Sequence, residues 1–526
     1  MKYCILSLLL ALAFCASAQT ILVSGLQSGT WSADTILVTN DVVVDGSLEI
    51  AAGTTVLFDG FYGITVPKGA TFSALGTEDE GIVFTVNDTA NFYVYNAPKG
   101  GWNGFLLDQS GPVRMDYCLL QYGKASDTLD QHGGAVNIQN CDDVEFNHTT
   151  FHSNFAREHG GAINAEHSKV TMHNCCLDHN QLYTSDNLYF MYGGAARFIN
   201  CDVVMEDMQF LDNYGAISIG GALSLDSCSV IMDRAEFRRN IGLNGGGMYI
   251  MRCNDKECRL SNILFDDNFG QHFAGAIAFC DASPEVYNMT LVNNSSWGVN
   301  CQGIFFYQYS APILHNCIIY HNCPEDLTQY EFPAQMWLWT FEDYKPEMHN
   351  CLVEGGDEWI TNVENFKVIE NLMKDDPLFV DFENHDFHLS EESPCRDAGT
   401  QNLPSYILDG FDVDGLPRVA NGRIDLGCYE YSAASIGESS TQDITLCGNP
   451  LSSNSSLSLN LAQSSDLMMK VYDMMGRLVM TQTFGYHQAG EVNLSIGSLS
   501  DRLVPGCYML EVVSANENFM VKLLNR

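Results

Sequence analysis

The chain has 526 residues, 46% of them hydrophobic and 17% charged, and its 25 Lys and Arg stand against 65 Asp and Glu for a formal net charge of −40. Acidity of this size excludes binding to nucleic acid through its phosphates and repels acidic polysaccharides that no cation bridges. Beyond the first residues no segment is long and apolar enough to span a membrane as a helix.

In chain order, Lys2, an apolar run from Ile5 to Phe14, and Ala16, Ser17 and Ala18 before Gln19 predict a secretory signal over residues 1–18. Two of the 19 cysteines fall in it and leave 17, an odd number.

From residue 150 onward an asparagine returns at Asn154, Asn180, Asn213, Asn240, Asn268, Asn294 and Asn322, in steps of 26, 33, 27, 28, 26 and 28 residues. The third residue before each is apolar (Phe151, Leu177, Phe210, Phe237, Phe265, Leu291, Ile319), and so is the eighth (Phe146, Met172, Met205, Met232, Leu260, Val286, Leu314). A second column, Gly134, Gly161, Gly194, Gly221, Gly246 and Gly275, precedes alternating apolar residues such as Leu223 and Leu225. A fixed period of this size predicts a solenoid whose units bury their apolar positions against their neighbours. Each unit holds three short strand-like pieces. Glycine supplies positive φ or close backbone approach at a turn, and stacked asparagines can bond along a ladder. A leucine-rich repeat shares the period. Its helix is missing here, because Gly-Gly pairs, with no segment of 3.6 periodicity, separate each Asn from the next strand.

On these columns the chain resembles the right-handed parallel β-helix family, the pectate-lyase-like solenoids of secreted bacterial proteins. Val42, Val43 and Val44 followed by Gly53 to Phe58 resemble that family's N-terminal entry, and Trp102, Asn103, Gly104 and Phe105 continue it. Asp376 to Phe379, Phe387 to Leu389, Ser393 to Cys395, Asp397 to Gly399 and Asp425 to Glu430 resemble the closing segment of one subgroup. The resemblance implies an all-β chain. A right-handed parallel β-helix would occupy 19–431, with an N-terminal cap to about 100, central coils over about 101–345 and closing coils over about 346–431.

Cys141, Cys201, Cys228 and Cys253 each fall seven residues after the second Gly of a pair and read as core-filling thiols. Stacked positions about 4.8 Å apart exceed the Cβ separation of a disulfide, roughly 3.8 Å, so any bridges are expected between Cys253 and Cys258 and between Cys317 and Cys323.

Residues 432–442, Ser-Ala-Ala-Ser-Ile-Gly-Glu-Ser-Ser-Thr-Gln, read as a linker. Alternating strands follow over 443–526, such as Leu457, Leu459 and Leu461. This tail resembles the C-terminal sorting domain of the type IX secretion system, a small β-sandwich. The matching residues are Asn449, Pro450, Asp473, Gly476, Arg477, Gly506, Tyr508 and Lys522, with Gly448 where the pattern usually has proline. The resemblance implies the type IX machinery as partner, passage across the outer membrane, and release or attachment at the surface.

Enzymes on the resembled fold carry carboxylates, or calcium with an Arg or Lys base, along one outer face. The two residues before each ladder Asn are expected to face outward. They include Asp212, Arg238, Arg239, Asp266 and Asp267, which are the catalytic candidates. Their alternating charge also fits an ion-pair ladder of about 0.2–1 kcal/mol per pair, the reading we prefer. The signatures of polygalacturonases are absent: Asp142 and Asp143 stand alone, and Arg423-Ile424 is followed by Asp425. The longest gap in the repeat, Gln181 to Tyr192, contains Tyr183, Tyr189, Phe190 and Tyr192. Aromatics in a loop insertion suit a sugar-binding or partner-binding platform. The sequence specifies no cofactor. Calcium is the candidate cation, although Asp412-Val413-Asp414-Gly415 lacks the distal Glu of a calcium loop and reads as a turn. Together these features predict an exported, adhesin-like protein that binds a glycan or a surface without catalysis. A polysaccharide lyase or glycoside hydrolase, and a structural surface-layer component, are the alternatives.

Overall fold

A computed structural model of the protein describes residues 19–94, 99–126, 132–183, 191–215, 217–297, 302–322, 334–419, 422–431, 445–447, 455–461, 463–473, 478–499, 502–503, 506–514 and 518–525. The expected signal segment 1–18 and the linker 432–442 lie outside the described residues. The chain divides into two units, residues 1–431 and 432–526.

The first unit is a parallel β-helix. Each central coil lays down three strands, and each strand pairs in parallel with its counterpart one coil later. On the first face the register runs Val136, Ile163, Ala196, Leu223, Met248, Ile277, Ile304, Met336. Alternation then points Ile138, Ala165, Phe198, Leu225, Ile250, Phe279, Phe306 and Leu338 inward, where all are fully buried. The apolar positions three before each Asn form a column on the third face, with aromatic rings stacked in its middle. Phe210 stacks on Phe237 at 4.5 Å, and Phe237 on Phe265 at 4.8 Å.

Corners are made by single residues in the left-handed region. Between the second and third strands these are His148, Asn174, Asp207, Arg234, Asn262, Asn288 and Asn316, with φ from 42° to 55°. After the third strand they are Ser153, His179, Asp212, Arg239, Asp267, Asn293 and His321, with φ from 50° to 57°. Such a residue reverses the path in one step, at a steric cost that Asn and Asp tolerate best.

The ladder asparagines face inward and are buried. Asn180 donates from Nδ2 to the Phe151 carbonyl (2.8 Å) and to Asn213 Oδ1 (3.0 Å), and the pattern repeats down the coils. At the lower end Asn322 donates to Gln335 Oε1 (2.9 Å), and Gln335 donates to Glu354 Oε2 (2.8 Å), so side chains of another type close the ladder.

The last coil strand is Val368–Glu370, and the chain then turns back. Residues 376–431 lie on the outside of the third face. The Gly427 N–H bonds the Asn316 carbonyl (2.8 Å), Cys428 N–H bonds Thr290 Oγ1 (3.0 Å), and Thr400 N–H bonds Asn316 Oδ1 (2.8 Å). Leu264 and Val292 join Phe387, Cys428 and Tyr429 in a separate apolar cluster. Outward positions on this stretch are therefore covered: Val292 and Asp266 are both 0% exposed, against the expectation that they meet solvent. Arg418 and Glu430 are paired at 2.9 Å inside the segment, and burial pushes the Glu430 carboxyl up.

His388 ties this segment together, bonding Asp386 and Asp414 at 2.5 Å each and packing on Tyr429. The Asp414 and Asp386 carboxylates raise its pKa from 6.5 to about 9 despite burial. A base whose folded pKa is raised contributes stability in full below pH 6.5 and loses it as pH rises through about 9. Amide protection factors over 376–431 are expected to fall across that window while those over 196–251 hold. Equal protection at both ends of the range would refute the latch.

The expected bridges are not formed. Thirteen described cysteines are free thiols, among them Cys253, Cys258 and Cys317, while Cys323 lies outside the described residues. Cys258 is held in register with Val230, and Cys253 donates to the Met251 carbonyl (3.1 Å), as Cys141, Cys201 and Cys228 do to the carbonyls two residues before them. Each is a corner thiol satisfied by its own backbone.

The second unit packs two antiparallel sheets. One contains Thr445–Cys447, Ser456–Leu461 and Gly490–Ser495; the other contains Leu478–His487, Ser465–Asp473, Gly506–Val513 and Asn518–Asn525. Leu457, Leu459, Met469, Val471, Leu494 and Leu510 fill the space between them.

Candidate functional site

The charged column lies where the third strands end. Arg239 grips Asp212 with both forks, Nε to Oδ1 at 2.8 Å and Nη2 to Oδ2 at 2.7 Å. The pair lowers the Asp212 pKa and raises that of Arg239. Arg238 reaches Glu236 and Asp266, each at 3.1 Å; burial opposes its charge, but the two carboxylates outweigh it. Asp266 also meets His385 Nδ1 at 2.9 Å, a residue of the fold-back segment. Both guanidinium groups are held in the cationic form by carboxylates, which leaves neither free to abstract a proton. Asp267 points elsewhere, into a cleft of about 530 Å³ shared with Asn293, Ser295, His321, Phe382, Glu383 and His385. Burial, then the neighbouring Asp266, raises its carboxyl pKa.

A second feature lies on the outer side of the first face. Short strands Met191–Tyr192, Ser218–Ile219, Ile241–Asn244, Phe269–Phe273 and Ser295–Ser296 form a ribbon beside it. Residues of this ribbon pack on outward-pointing residues of the face: Tyr192, Ile219 and Phe273 with Tyr249, Met251, Ala278 and Phe305. Ribbon and face pack together along the coils, with the face as the floor and most of its inner row buried beneath the ribbon. By register, one outward row of the floor reads Asn137, Asn164, Arg197, Ser224, Tyr249, Ala278, Phe305, Trp337, and the next reads Gln139, Glu166, Ile199, Asp226, Met251, Cys280, Tyr307, Trp339.

The floor is polar at one end and aromatic at the other. Asn164 donates to Asn137 Oδ1 (3.0 Å), and Arg197 donates to Asn164 Oδ1 (2.9 Å) and Glu166 Oε1 (2.8 Å). His159 Nδ1, Ser224 Oγ and Asn244 Oδ1 are buried with no hydrogen-bond partner. At the other end Phe305 lies 5.1 Å from Trp337, Trp337 is stacked at 5.6 Å on Trp339, and Tyr307 lies 5.6 Å from Trp339. Phe273 closes the side at 4.9 Å from Phe305. Trp339 is 54% exposed.

Of the aromatic loop, Tyr183 is exposed, and Tyr192 is half-buried against the His159 ring (5.5 Å) and the Arg197 guanidinium (5.9 Å); Tyr189 and Phe190 lie outside the described residues. Sequence reasoning missed the row Phe305, Tyr307, Trp337 and Trp339. Alternation gave no contrast there, since the inward Phe306 is flanked by Phe305 and Tyr307 and the inward Leu338 by Trp337 and Trp339, all of them apolar or aromatic. The Asp412 carboxylate accepts from the N–H groups of Asp414 (3.0 Å), Leu416 (2.7 Å) and Glu430 (2.8 Å), the bonding of a turn.

In the second unit Tyr508 is buried, Gly506 opens its strand, and Asp473 and Lys522 lie on strands; Asn449, Pro450, Gly476 and Arg477 lie outside the described residues. Among the described residues no helix is long and apolar enough to cross a membrane. Comparison with curated proteins gives no match. Residues 448–525 match the family described as "Secretion system C-terminal sorting domain". That domain implies interaction with the type IX machinery, and the protein is secreted across the outer membrane to the cell surface or the extracellular space.

Proposed function

We propose that the exported β-helix binds a glycan chain, without catalysis, on the aromatic end of the outer side of its first face. The observation that carries this reading is the row of aromatic rings in register on successive strands, Phe305, Tyr307, Trp337 and Trp339, continuous with a polar floor. Ring faces offer apolar area to sugar rings, and a few placed polar groups give orientation, the composition of ligand grooves in general. The net charge of −40 and the engagement of Arg197 and Arg252 by Glu166 and Asp226 favour a neutral glycan over a uronate.

The test is binding of the full chain to neutral polysaccharides. Trp337→Ala and Trp339→Ala are each expected to weaken binding about tenfold, the loss of one central aromatic anchor. Binding that neither substitution alters, or no binding across a broad panel, would sink the proposal. The enzyme reading rests on Asp267, a carboxyl with raised pKa in a cleft with Glu383. Release of reducing ends or of unsaturated product by the same chain would replace binding with catalysis.

A further inference from the structure

Beside the charged column, at the ends of third strands and not on the first face, stand two imidazoles and a carboxylate. His152 ends the strand Thr150–His152, Asp178 ends the next strand in register with it, and His179 follows at the corner with φ of 53°. His152 Nδ1 lies 2.7 Å and His179 Nδ1 lies 3.1 Å from the same oxygen, Asp178 Oδ2. The three donor atoms lie within 4.8 Å of one another. The rings are tilted by 56° at a centroid separation of 5.6 Å, so their Nδ1 atoms converge on the carboxylate.

The geometry points to a binding site for a divalent transition cation of the zinc type, held by His152 Nδ1, Asp178 and His179 Nδ1. Ligands at about 2.0–2.2 Å from a tetrahedral zinc stand roughly 3.3 Å apart, which these atoms reach by small side-chain rotations. Two further observations point to a ligand. Asp178 Oδ1 is buried and has no hydrogen-bond partner, so the carboxylate has unused acceptor capacity. The Ser153 hydroxyl meets the far nitrogen of His152, Nε2, at 3.0 Å and fixes the ring with Nδ1 toward the site, the outer-shell contact that orients metal-binding histidines. Imidazole nitrogens select zinc, copper or nickel over calcium and magnesium. Asp212 on the next coil is taken by Arg239, so the protein supplies three ligands and leaves a coordination position open to water or an outside donor.

Titration of the full chain with Zn²⁺ by calorimetry and with Co²⁺ by visible absorption tests the site. The wild-type chain is expected to bind one equivalent more tightly than the rest and to show cobalt d–d bands. Asp178→Asn and His179→Ala are each expected to weaken that equivalent by at least tenfold and to remove the bands. His179 is 57% exposed at its side chain, so its alanine variant is expected to melt like wild type in the absence of metal, which separates lost binding from lost folding. A wild-type chain without a tight equivalent, or variants that bind as it does, overturns the proposal.

Discussion

Alanine at Gly194 is expected to cost more than about 4 kcal/mol and to open the helix locally, a size of effect that single substitutions reach by few mechanisms, a backbone clash among them. A β-carbon built there lies 1.8 Å from the Gly221 carbonyl oxygen and 3.1 Å from the Gly215 nitrogen. Neither atom can move away cheaply. The Gly194 N–H itself bonds the Gly220 carbonyl (3.0 Å), and the same nesting continues below, where a β-carbon on Gly221 would lie 2.0 Å from the Gly246 carbonyl oxygen. Gly415 is the control. Its φ of +80° makes alanine strained, but nothing lies within 4 Å, so Gly415→Ala should cost only about 1–2 kcal/mol. Urea unfolding of both variants measures the difference, and equal losses would show that close approach is not what demands glycine at 194. Because a solenoid is stabilised by nearest-neighbour terms, amide exchange in the Gly194 variant should rise first in the coils from 163 to 226.

The paired glycines show how far sequence reasoning reaches. Period and residue type identify a turn that needs glycine, and two reasons, positive φ or close approach, fit equally well. The structure separates them: Gly193 needs both, with φ of +68° and a β-carbon that would lie 2.0 Å from the Ala196 carbonyl oxygen, while Gly194 needs only the close approach. The inward faces were legible for a simpler reason. Each coil repeats its apolar positions at fixed distances from the ladder Asn, and a parallel ladder converts that spacing directly into stacked columns.

Other features were hidden because their causes are not local. Asp266 reads as an outward acid from its place in the repeat, and the residue that covers it, His385, is 119 positions away. The bond from Cys428 to Thr290 spans 138 positions. No periodicity within a coil carries information about a segment that leaves the coils and lies across them. The aromatic row was masked by its own hydrophobicity. Where both faces of a strand are apolar, as in Phe305–Phe306–Tyr307, alternation gives no contrast, and the outward rings look like core. The bridge expected between Cys253 and Cys258 failed because sequence proximity does not set geometry: one residue sits at a corner and the other within the next strand.

Two adjacent residues, Arg239 and Asn240, test whether the inward column or the outward one holds the coils together. Arg239 is 48% exposed at its side chain and paired to Asp212, and alanine there should cost less than about 1 kcal/mol because solvent screens the pair. Asn240 is fully buried. Its Nδ2 donates to the Phe210 carbonyl (2.8 Å) and to Asn268 Oδ1 (2.9 Å), and its Oδ1 accepts from the Asn213 backbone N–H (3.1 Å) and Nδ2 (2.9 Å). Alanine keeps the backbone bond to Asn268 and strands three groups that no water reaches: the Phe210 carbonyl, the Asn213 N–H and one Asn213 amide hydrogen. Each unsatisfied buried group costs about 1–3 kcal/mol, so three of them put the loss for Asn240→Ala at roughly 3–9 kcal/mol. Aspartate should be no rescue near neutral pH. It keeps the acceptor toward Asn213 but turns a charged oxygen toward the Phe210 carbonyl and Asn268 Oδ1, where only a donor fits. The denaturation midpoints of the two alanine variants, measured side by side, decide the matter. If Asn240→Ala unfolds at the midpoint of Arg239→Ala, the asparagine ladder follows the coils and does not hold them.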